Sequence, residues 1–294
     1  MKKLTETNKK IFLSFDVEDW FQVENFKQNI SFPSWKEREL RVYNNTIKIL
    51  DILGSFSFEV KGTFFILGWL ADIMPELVLE IDKRGHEVAS HGYNHELCTN
   101  LNKDELLYDL QKSRDILESL INKAVVGYRA PSFAVTNEIL QIIKKAGYIY
   151  DSSYNNFSMH GRYGKLDVAL WEKRDFLFEI SDSFYEIPLS NLPIGKKVIP
   201  LGGGGYFRLF PLSFFKAGMK NVLKKENSFV FYAHPWEFDP YQPRVEEASR
   251  WFKFRHYINL EKTGTKFTRM IDSFNTLKFI TMSDYVESIR KKNI

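Results

Sequence analysis

The stretch His86-Glu87-Val88-Ala89-Ser90-His91-Gly92-Tyr93-Asn94-His95 joins a short predicted strand to two histidines. His91 and His95 are four residues apart, and side chains at that spacing lie on one face of a helical turn, where both imidazoles could reach a single cation. Neutral imidazole is a good ligand for zinc and related divalent metals. The spacing fits solvated or helix-capping histidines equally well, so a third ligand is needed to decide.

Predicted strands and helices alternate on both sides of this stretch. Short apolar runs predict strands at 11–15, 60–67, 86–90, 125–128 and 148–150. Helical patterns of apolar residues predict helices at 36–53, 74–84, 103–121 and 136–146. This alternation is typical of an α/β fold with parallel strands and outer helices, in which the chemistry gathers at the carboxyl ends of the strands.

The pattern is less regular after residue 155. Further strands are predicted at 176–180, 184–188, 228–233 and 277–281, and helices at 211–224, 246–253, 265–275 and from 283 onward. A polar loop is expected over 255–257. The glycine run 202–205 lacks the Lys-Ser/Thr of a phosphate-binding loop, so it predicts either a substrate-lining loop or a plain β-turn.

An acidic cluster follows the first predicted strand. The segment Asp16-Val17-Glu18-Asp19 places three carboxylates within four positions, which is costly to bury unless a cation or an arginine compensates. Strand alternation places Asp16 and Glu18 on one face, and Asp19 can join them only if the strand has ended. The alternative is a polar turn with solvated acids.

Other strand ends supply groups that complete a catalytic site. A carboxylate and two histidines form a set of three protein ligands that leaves room for water, as catalytic metal sites do. Asp16 could take the proton of that water, and Arg129 could hold Asp16 ionised. His234 could protonate a leaving amine, and the backbone N–H of Ser132 could stabilise an oxyanion. These parts predict hydrolysis of an amide or an ester.

Composition limits the class of protein. The 294 residues allow one large domain or two small ones, and a hydrophobic content of 44% argues against disorder. The net charge of +4 is too small to indicate a nucleic-acid partner. Cys98 is the single cysteine and is expected to be a packed side chain. The polar N-terminus and the lack of a long apolar run predict a soluble cytoplasmic protein without a transmembrane segment, compatible with association at a membrane surface.

Several segments together resemble the motifs of the polysaccharide deacetylases, the NodB-like enzymes of carbohydrate esterase family 4. In chain order they are Ser14-Phe15-Asp16, Ser90 to His95, Arg129-Ala130-Pro131 and the late strand that ends in His234. Others resemble a bacterial subgroup linked to exopolysaccharide loci. These are the segments 16–21, 147–153, 203–208 and His234-Pro235-Trp236-Glu237. The resemblance covers nearly the whole chain.

The resemblance implies an irregular, seven-stranded (β/α) barrel of the NodB type. It implies one domain over residues 1–294, with a C-terminal extension from about residue 236 packed on the barrel. The implied activity is metal-dependent removal of an N-acetyl group from an amino sugar similar to N-acetylglucosamine, in a bacterial polysaccharide or its lipid- or nucleotide-linked precursor. The implied cofactor is one divalent metal, with zinc first and cobalt or nickel as alternatives.

The same resemblance assigns roles to residues. Asp16 would be the general base, held by Arg129, and His234 would be the general acid. The metal ligands would be His91, His95 and one carboxylate. The family often has Asp-Asp at the first motif, and Val17 occupies the second of these positions here. The carboxylate ligand therefore moves to Glu18 or Asp19, and Glu18 is favoured because it shares a face with Asp16 and reaches further.

A further group of residues is expected near the substrate. Asp151 is a candidate to orient His234, with a cap or turn role as the alternative, while Glu237 is left undecided. His160 and His256 are expected to be ordinary surface or loop histidines. The candidate substrate contacts, for each of which plain packing is the alternative, are Ser132, Asp151, Trp20, Tyr206, Arg208 and Trp236.

Two other functions fit the same residues. The chain could be a glycan-binding relative that has lost turnover, which the substituted acidic motif would explain. It could also be a deformylase of a similar sugar. The complete set of Asp16, His91, His95, Arg129 and His234 argues against the first of these.

Overall fold

The computed structural model describes residues 9–157, 164, 166–195 and 197–291. Its strands are β1 Lys10–Val17, β2 Gly62–Ile66, β3 Glu87–Ser90, β4 Gly127–Tyr128, β5 Tyr150–Asp151, β6 Glu172–Arg174, β7 Leu177–Ser181, β8 Phe184–Glu186, β9 Leu192–Ile194, β10 Lys197–Ile199, β11 Ser228–Ala233 and β12 Lys278–Phe279. Its α-helices are α1 Val42–Gly54, α2 Gly68–Ile73, α3 Pro75–Lys83, α4 Lys103–Ile121, α5 Asn137–Lys145, α6 Gly204–Leu209, α7 Leu212–Glu226, α8 Arg250–Tyr257, α9 Thr263–Asp272 and α10 Met282–Arg290. Each of these helices is too short or too polar to span a bilayer.

Seven parallel strands form the centre of the molecule, in the order β11-β1-β2-β3-β4-β5-β8. Strands β7 and β6 extend this sheet in antiparallel fashion beyond β8, and β12 pairs with the start of β1. Strand β1 is buried along almost its whole length because both faces of a parallel sheet are covered, which explains its nearly continuous apolar sequence.

Hydrogen bonds between loop residues connect the two ends of the parallel run. The Ser190 carbonyl accepts from the Gly202 N–H at 2.8 Å, and the Gly202 carbonyl accepts from the Tyr232 N–H at 2.8 Å. The Ser190 hydroxyl also accepts from the Val230 N–H at 2.8 Å. The chain after β8 is thereby linked to β11, which confirms the α/β fold with an irregular barrel of parallel strands.

The structure differs from three local predictions, in each case because distant contacts decide the local structure. Helix α1 begins at Val42, not at residue 36, and a 3₁₀ helix with proline in its first turn occupies Phe32–Glu37. The glycine run, for which a substrate-lining loop or a plain β-turn was predicted, leads into α6, and Gly205 of this helix lines the pocket described below. Residues 255–257 belong to α8 and are not a polar loop.

Candidate active site

The charged groups expected at the strand ends meet around one pocket of about 340 Å³. They meet because β1, β3, β4 and β11 run parallel, so their carboxyl ends lie at the same edge of the barrel. The members of this cluster that line the pocket are Asp16, Glu18, His91, His95 and His234.

Glu18, His91 and His95 form a buried group that could hold a metal ion. One ligand atom from each lies within 4.8 Å of the others, and His95 Nε2 is 3.0 Å from Glu18 Oε2. The two histidines converge through a loop and not through the helical turn expected from their spacing, since Gly92 and His95 have φ angles of 75° and 56°. A non-glycine residue uncommonly adopts this conformation, so the surrounding structure must hold the His95 backbone in place.

The donor atoms of this group suit a divalent cation. His91 Nδ1 lies 2.7 Å from the Arg129 carbonyl, to which it donates, so its Nε2 lone pair is free for a ligand. Burial lowers the pKa of His91 to about 4, which keeps the imidazole neutral. Among the described residues, the buried Oε2 of Glu18 makes no hydrogen bond of ordinary geometry, although His95 Nε2 lies 3.0 Å from it. A carboxylate oxygen beside two imidazole nitrogens is the donor set expected for zinc and similar metals.

The second oxygen of Glu18 is held in place by neighbouring rings. Glu18 Oε1 accepts from the indole N–H of Trp236 at 3.3 Å and lies 3.3 Å from His234 Nε2. Burial alone would raise the pKa of Glu18, but the electrostatic effect of the neighbouring His95 and His234 rings outweighs it and lowers the pKa to about 2. The carboxylate is therefore ionised and has one oxygen directed at the histidine pair.

Asp19, the alternative ligand, is outside this group. Its carboxylate accepts hydrogen bonds from the backbone N–H groups of Trp20, Arg41 and Val42 at 2.7–2.9 Å. These bonds fix the start of α1, and burial raises the pKa of Asp19 to about 6. Because its oxygens serve the backbone, the position next to the histidines belongs to Glu18.

Asp16 is paired with a fully buried arginine. Arg129 Nη1 lies 2.7 Å from Asp16 Oδ1 and 2.9 Å from the Ser14 hydroxyl. The remaining edge of the guanidinium donates to the carbonyl and hydroxyl of Ser152 at 2.9 and 3.0 Å. Oxygen acceptors thus surround the guanidinium, and its charge holds Asp16 in a fixed orientation beside the metal-binding group.

His234 is oriented by Glu237 and not by Asp151. His234 Nδ1 lies 2.9 Å from Glu237 Oε1, and Glu237 Oε2 accepts from Arg208 Nε at 2.7 Å. Burial disfavours the charged form of His234, but Glu18, Glu237 and Asp16 outweigh it and raise its pKa to about 9. His234 Nε2, which is 3.9 Å from Asp16 Oδ2, therefore faces the pocket with a proton to donate.

Asp151 has a structural partner of its own. It is the register neighbour of Glu186 on the adjacent strand, and both carboxyls are buried. The Ser153 N–H lies 3.0 Å from an oxygen of each, and the Ser153 hydroxyl donates to Asp151 at 2.8 Å. Burial raises the pKa of Asp151 to about 6 and that of Glu186 well above its usual range, so the pair retains a proton near neutral pH. The turn role expected as the alternative is therefore the observed one.

Arg208 and Trp236 border the pocket but are not free to hold a sugar in the way expected. Arg208 is buried, and besides Glu237 it donates to the carbonyls of Arg255, His256 and Ile258 at 2.8–3.1 Å. The indole of Trp236 is stacked between His234 and His256, with ring centroids 5.1 and 4.1 Å away. Both side chains support the catalytic groups.

The glycine run allows a close approach to Glu237. A Cβ atom on Gly204 would lie 2.2 Å from Glu237 Oε1 and 2.5 Å from Oε2. A Cβ on Gly203 would lie 2.6 Å from the Tyr232 hydroxyl. The backbone of α6 can therefore pack against the carboxylate that orients His234 only where side chains are missing.

The remaining histidine and cysteine expectations have mixed outcomes. His256 is buried in α8, where its Nε2 lies 2.7 Å from Gln242 Oε1, so the expectation of a surface or loop histidine was wrong. Cys98 is buried beside the Tyr128 hydroxyl, as expected for a packed side chain, and burial raises its pKa to about 12. His160 lies outside the described residues.

The pocket wall contains residues that sequence reasoning missed. Ser132 and Tyr206 line it as expected, with Ser132 in a left-handed conformation at φ 52°. Trp20 is buried and is not among the lining residues. The lining residues that were not expected include Val23, Glu24, Phe133, Tyr232, Trp251 and Phe254. Trp251 and Phe254 are three residues apart, a spacing that places two side chains on one face of a helix. The predicted helix 246–253 ended before Phe254, so this common face was not recognised.

The barrel and its strand-end cluster define an α/β-barrel protein with a candidate metal centre. The family model described as "Polysaccharide deacetylase" matches residues 3–150, half of the chain, and the chain belongs to that family. A second family model, described as "Domain of unknown function (DUF3473)", matches residues 152–287.

Individual relatives match parts of the chain. It is 34% identical over 106 residues to the "Peptidoglycan deacetylase-like protein FGM2" of Gibberella zeae, which covers 36% of this chain and 31% of that protein. It is 30% identical over 127 residues to the "Peptidoglycan deacetylase" of Helicobacter pylori, which covers 42% of each. The chain thus spans less than half the length of these curated relatives.

A solved structure supports the fold over the whole length. A Mycobacterium smegmatis protein assigned to the polysaccharide deacetylases aligns over 100% of this chain and 94% of its own, with a TM-score of 0.63 and 19% identity. At this identity the likeness concerns the fold alone.

Proposed function

We propose that the chain is a metal-dependent hydrolase that removes the N-acetyl group from an amino sugar similar to N-acetylglucosamine, in a bacterial polysaccharide or its precursor. The observation that carries the proposal is the convergence of three elements on one pocket: the Glu18–His91–His95 group, the Asp16–Arg129 pair and the His234–Glu237 pair. Deacetylase relatives support the same chemistry.

Asp16 and Arg129 would act on the attacking water. A divalent metal held by Glu18, His91 and His95 would lower the pKa of water and polarise the acetyl carbonyl. Asp16 takes a proton from the water while the oxygen of that water forms a bond to the carbonyl carbon. The Arg129 guanidinium, 2.7 Å from Asp16 Oδ1, keeps the carboxylate directed at that water, as a general base requires.

His234 would act on the leaving group. As the carbon–nitrogen bond breaks, the sugar nitrogen needs a proton, and protonated His234 faces the pocket with Nε2 while Glu237 holds Nδ1. The products are acetate and the free amino sugar. The Ser132 N–H is the proposed donor to the carbonyl oxygen, since the neighbouring N–H groups of Phe133 and Ala134 are bonded to Ala130 and Pro131.

The finer assignments are also proposals. Zinc is the first choice of metal and cobalt or nickel are alternatives, because two imidazoles and a carboxylate suit all three. We infer that residues 3–150 and 152–287 form one domain, since the first region supplies the metal-binding group and the second supplies His234. The link to exopolysaccharide synthesis and the cytoplasmic location stay predictions.

Metal content is the first test. Mass spectrometry on the purified chain should detect about one divalent metal per molecule in the wild type and a large loss in His91→Ala. His160→Ala is the matched control, because the resemblance assigns no role to that histidine. A wild type that takes up no metal after addition of zinc, cobalt and nickel would contradict the proposal and favour a glycan-binding protein.

Product analysis is the second test. We expect acetate to be released from N-acetylglucosamine oligomers, and release of formate from the matched N-formylglucosamine oligomers to be much slower. Asp16→Asn and His234→Ala should each lower the rate about 10²–10⁴-fold, the usual contribution of general acid–base catalysis. Near wild-type rates in both variants would refute the assigned roles.

A further inference from the structure

Helix α8 presents two large aromatic side chains at the mouth of the pocket. Trp251 is 62% exposed and Phe254 is 50% exposed, and their rings are stacked with centroids 5.9 Å apart and an interplanar angle of 23°. Both line the same pocket as the catalytic cluster. Large apolar groups exposed together commonly mark a binding surface, and here that surface continues the wall of the pocket.

Glu24 adds a polar group to the same pocket. Its Oε2 is buried, and among the residues described no group donates a hydrogen bond to it. The 3₁₀ helix Glu24–Phe26 packs directly on α8, since the Phe26 ring lies 4.7 Å from the His256 ring and 6.5 Å from the Tyr257 ring. A buried carboxylate oxygen without a donor is poised to accept from a ligand hydroxyl.

We propose that Glu24, Trp251 and Phe254 form a subsite for a second sugar ring of a glycan chain, next to the N-acetylated one. A pyranose offers C–H groups on its faces and hydroxyls on its rim, which matches aromatic rings beside one carboxylate acceptor. The inference rests on the proposed function, because it takes the Asp16–His234 cluster as the place where the acetyl group is held.

The acid in the pocket and the position of the aromatic pair favour a glycan over an anionic membrane surface as the occupant, although α8 also carries the basic residues Arg250 and Arg255. The carboxylate of Glu24 would repel phosphate headgroups, and Lys253, the basic residue between the two aromatics, is paired with Glu246 at 3.3 Å. The aromatic pair also borders the pocket and does not form a separate patch away from it. The region of the chain matched only by a domain of unknown function thereby acquires a role in substrate recognition.

Calorimetric binding of N-acetylglucosamine and of its linear tetramer tests the subsite. Titrations are made in an Asp16→Asn background, which suppresses turnover. The tetramer should bind more tightly than the monosaccharide. Trp251→Ala should weaken tetramer binding about three- to tenfold, the range for loss of an aromatic contact, and leave monosaccharide binding unchanged. Glu24→Gln should weaken tetramer binding by a similar factor.

Tyr241→Ala is the matched control, since Tyr241 is an aromatic residue of the same region that is 85% exposed and outside the pocket lining. Equal affinities of wild type, Trp251→Ala and Tyr241→Ala for the tetramer would overturn the proposal, as would a wild type that does not distinguish the two ligands. Loss of binding to vesicles of anionic lipid in Trp251→Ala, with tetramer binding unchanged, would identify a membrane contact instead.

Acetate release, measured with Asp16 intact, separates this inference from the proposed function. Acetate release without any length-dependent binding would overturn the subsite and leave the deacetylase assignment standing. Length-dependent binding that needs Trp251, without acetate release in the presence of zinc, cobalt or nickel, would overturn the deacetylase assignment and leave the subsite standing.

Discussion

Adding one methyl group at Gly204 should disturb catalysis through Glu237. In Gly204→Ala the new Cβ would lie 2.2 Å from Glu237 Oε1, 2.5 Å from Oε2 and 2.6 Å from Cδ. Ordinary van der Waals contact begins near 3.4 Å, so the carboxylate must move by about 1 Å. This carboxylate cannot move without breaking hydrogen bonds, because it is hydrogen-bonded to His234 Nδ1 at 2.9 Å and to Arg208 Nε at 2.7 Å.

A displacement of about 1 Å is enough to break a hydrogen bond of 2.9 Å, since such bonds are lost by about 3.6 Å. The His234 imidazole then loses its fixed orientation and part of the charge that keeps it protonated. A misplacement of this size costs about 10²-fold in rate, so we expect kcat to fall by that factor with little change in KM. Overpacking should also lower the free energy of unfolding by about 1–3 kcal/mol.

The assay measures kcat and KM for acetate release together with urea unfolding. Gly205→Ala is the matched control, because it adds the same methyl group one residue further along α6, where a Cβ has no heavy atom within 4 Å. Gly205 also lines the pocket, so any contact of its methyl group with the substrate is read in KM and not in kcat.

The result that would refute the reasoning is a Gly204→Ala protein that is fully folded and has kcat within about twofold of the wild type. A separate Glu237→Gln variant keeps the shape of the side chain and removes its charge. It distinguishes a Glu237 carboxylate that has moved to accommodate the new methyl group from one that has no effect on His234. Wild-type kcat in both variants would show that Glu237 does not position His234.

Three further predictions concern the surroundings of the site. Trp236→Phe removes the indole N–H that holds Glu18 and should weaken zinc binding about tenfold in competition with a chelator, while its ring stacking is kept. Arg129→Met leaves Asp16 buried without its counter-charge and should lower the free energy of unfolding by about 3–5 kcal/mol in urea titrations; an unchanged value would contradict the pairing. The raised pKa values of Asp151 and Glu186 stabilise the fold at low pH, and this contribution is lost as the pH rises from about 4 through 6 and beyond. Glu186→Gln should therefore gain stability relative to the wild type as the pH rises through 6, measured by urea unfolding at a series of pH values; a constant difference between the two proteins would refute the shared proton.

Local sequence determined strand β11 and the long amphipathic helix α4 well, whereas the short strands β6, β9 and β10 were not predicted. Helix α4 has the bounds 103–121 predicted for it, and β11 has the predicted bounds 228–233. In both elements the pattern of apolar residues and the residues that mark the ends predict the same bounds. At the start of α4, for example, Asn102 forms a capping box. Where long-range hydrogen bonds set the boundary, as at α1 and α8, the sequence prediction was displaced.

The convergence of Asp16, His91 and Arg129, and of His234 from a later strand end, also followed from the sequence, because parallel strands bring their carboxyl ends to one edge. Asp151 was expected to meet them for the same reason, but it lies beside Glu186 and outside the pocket lining. The choice between Glu18 and Asp19 as the carboxylate beside the two histidines did not follow from the sequence. Both carboxylates follow β1 at nearly the same distance along the chain, and only the approach of the Arg41 and Val42 N–H groups removes Asp19 from the cluster.

Only the tertiary structure showed the supporting contacts of Arg208, Trp236 and Glu237 and the exposed aromatic pair on α8 that we propose as a recognition surface. Arginine, tryptophan and glutamate have the same chemistry whether they contact a substrate or hold a catalytic group. Their role depends on burial and on partners tens to hundreds of residues away, such as the Trp236–Glu18 contact. Sequence pattern encodes which groups share a strand end, whereas packing decides which of their atoms are left free to act.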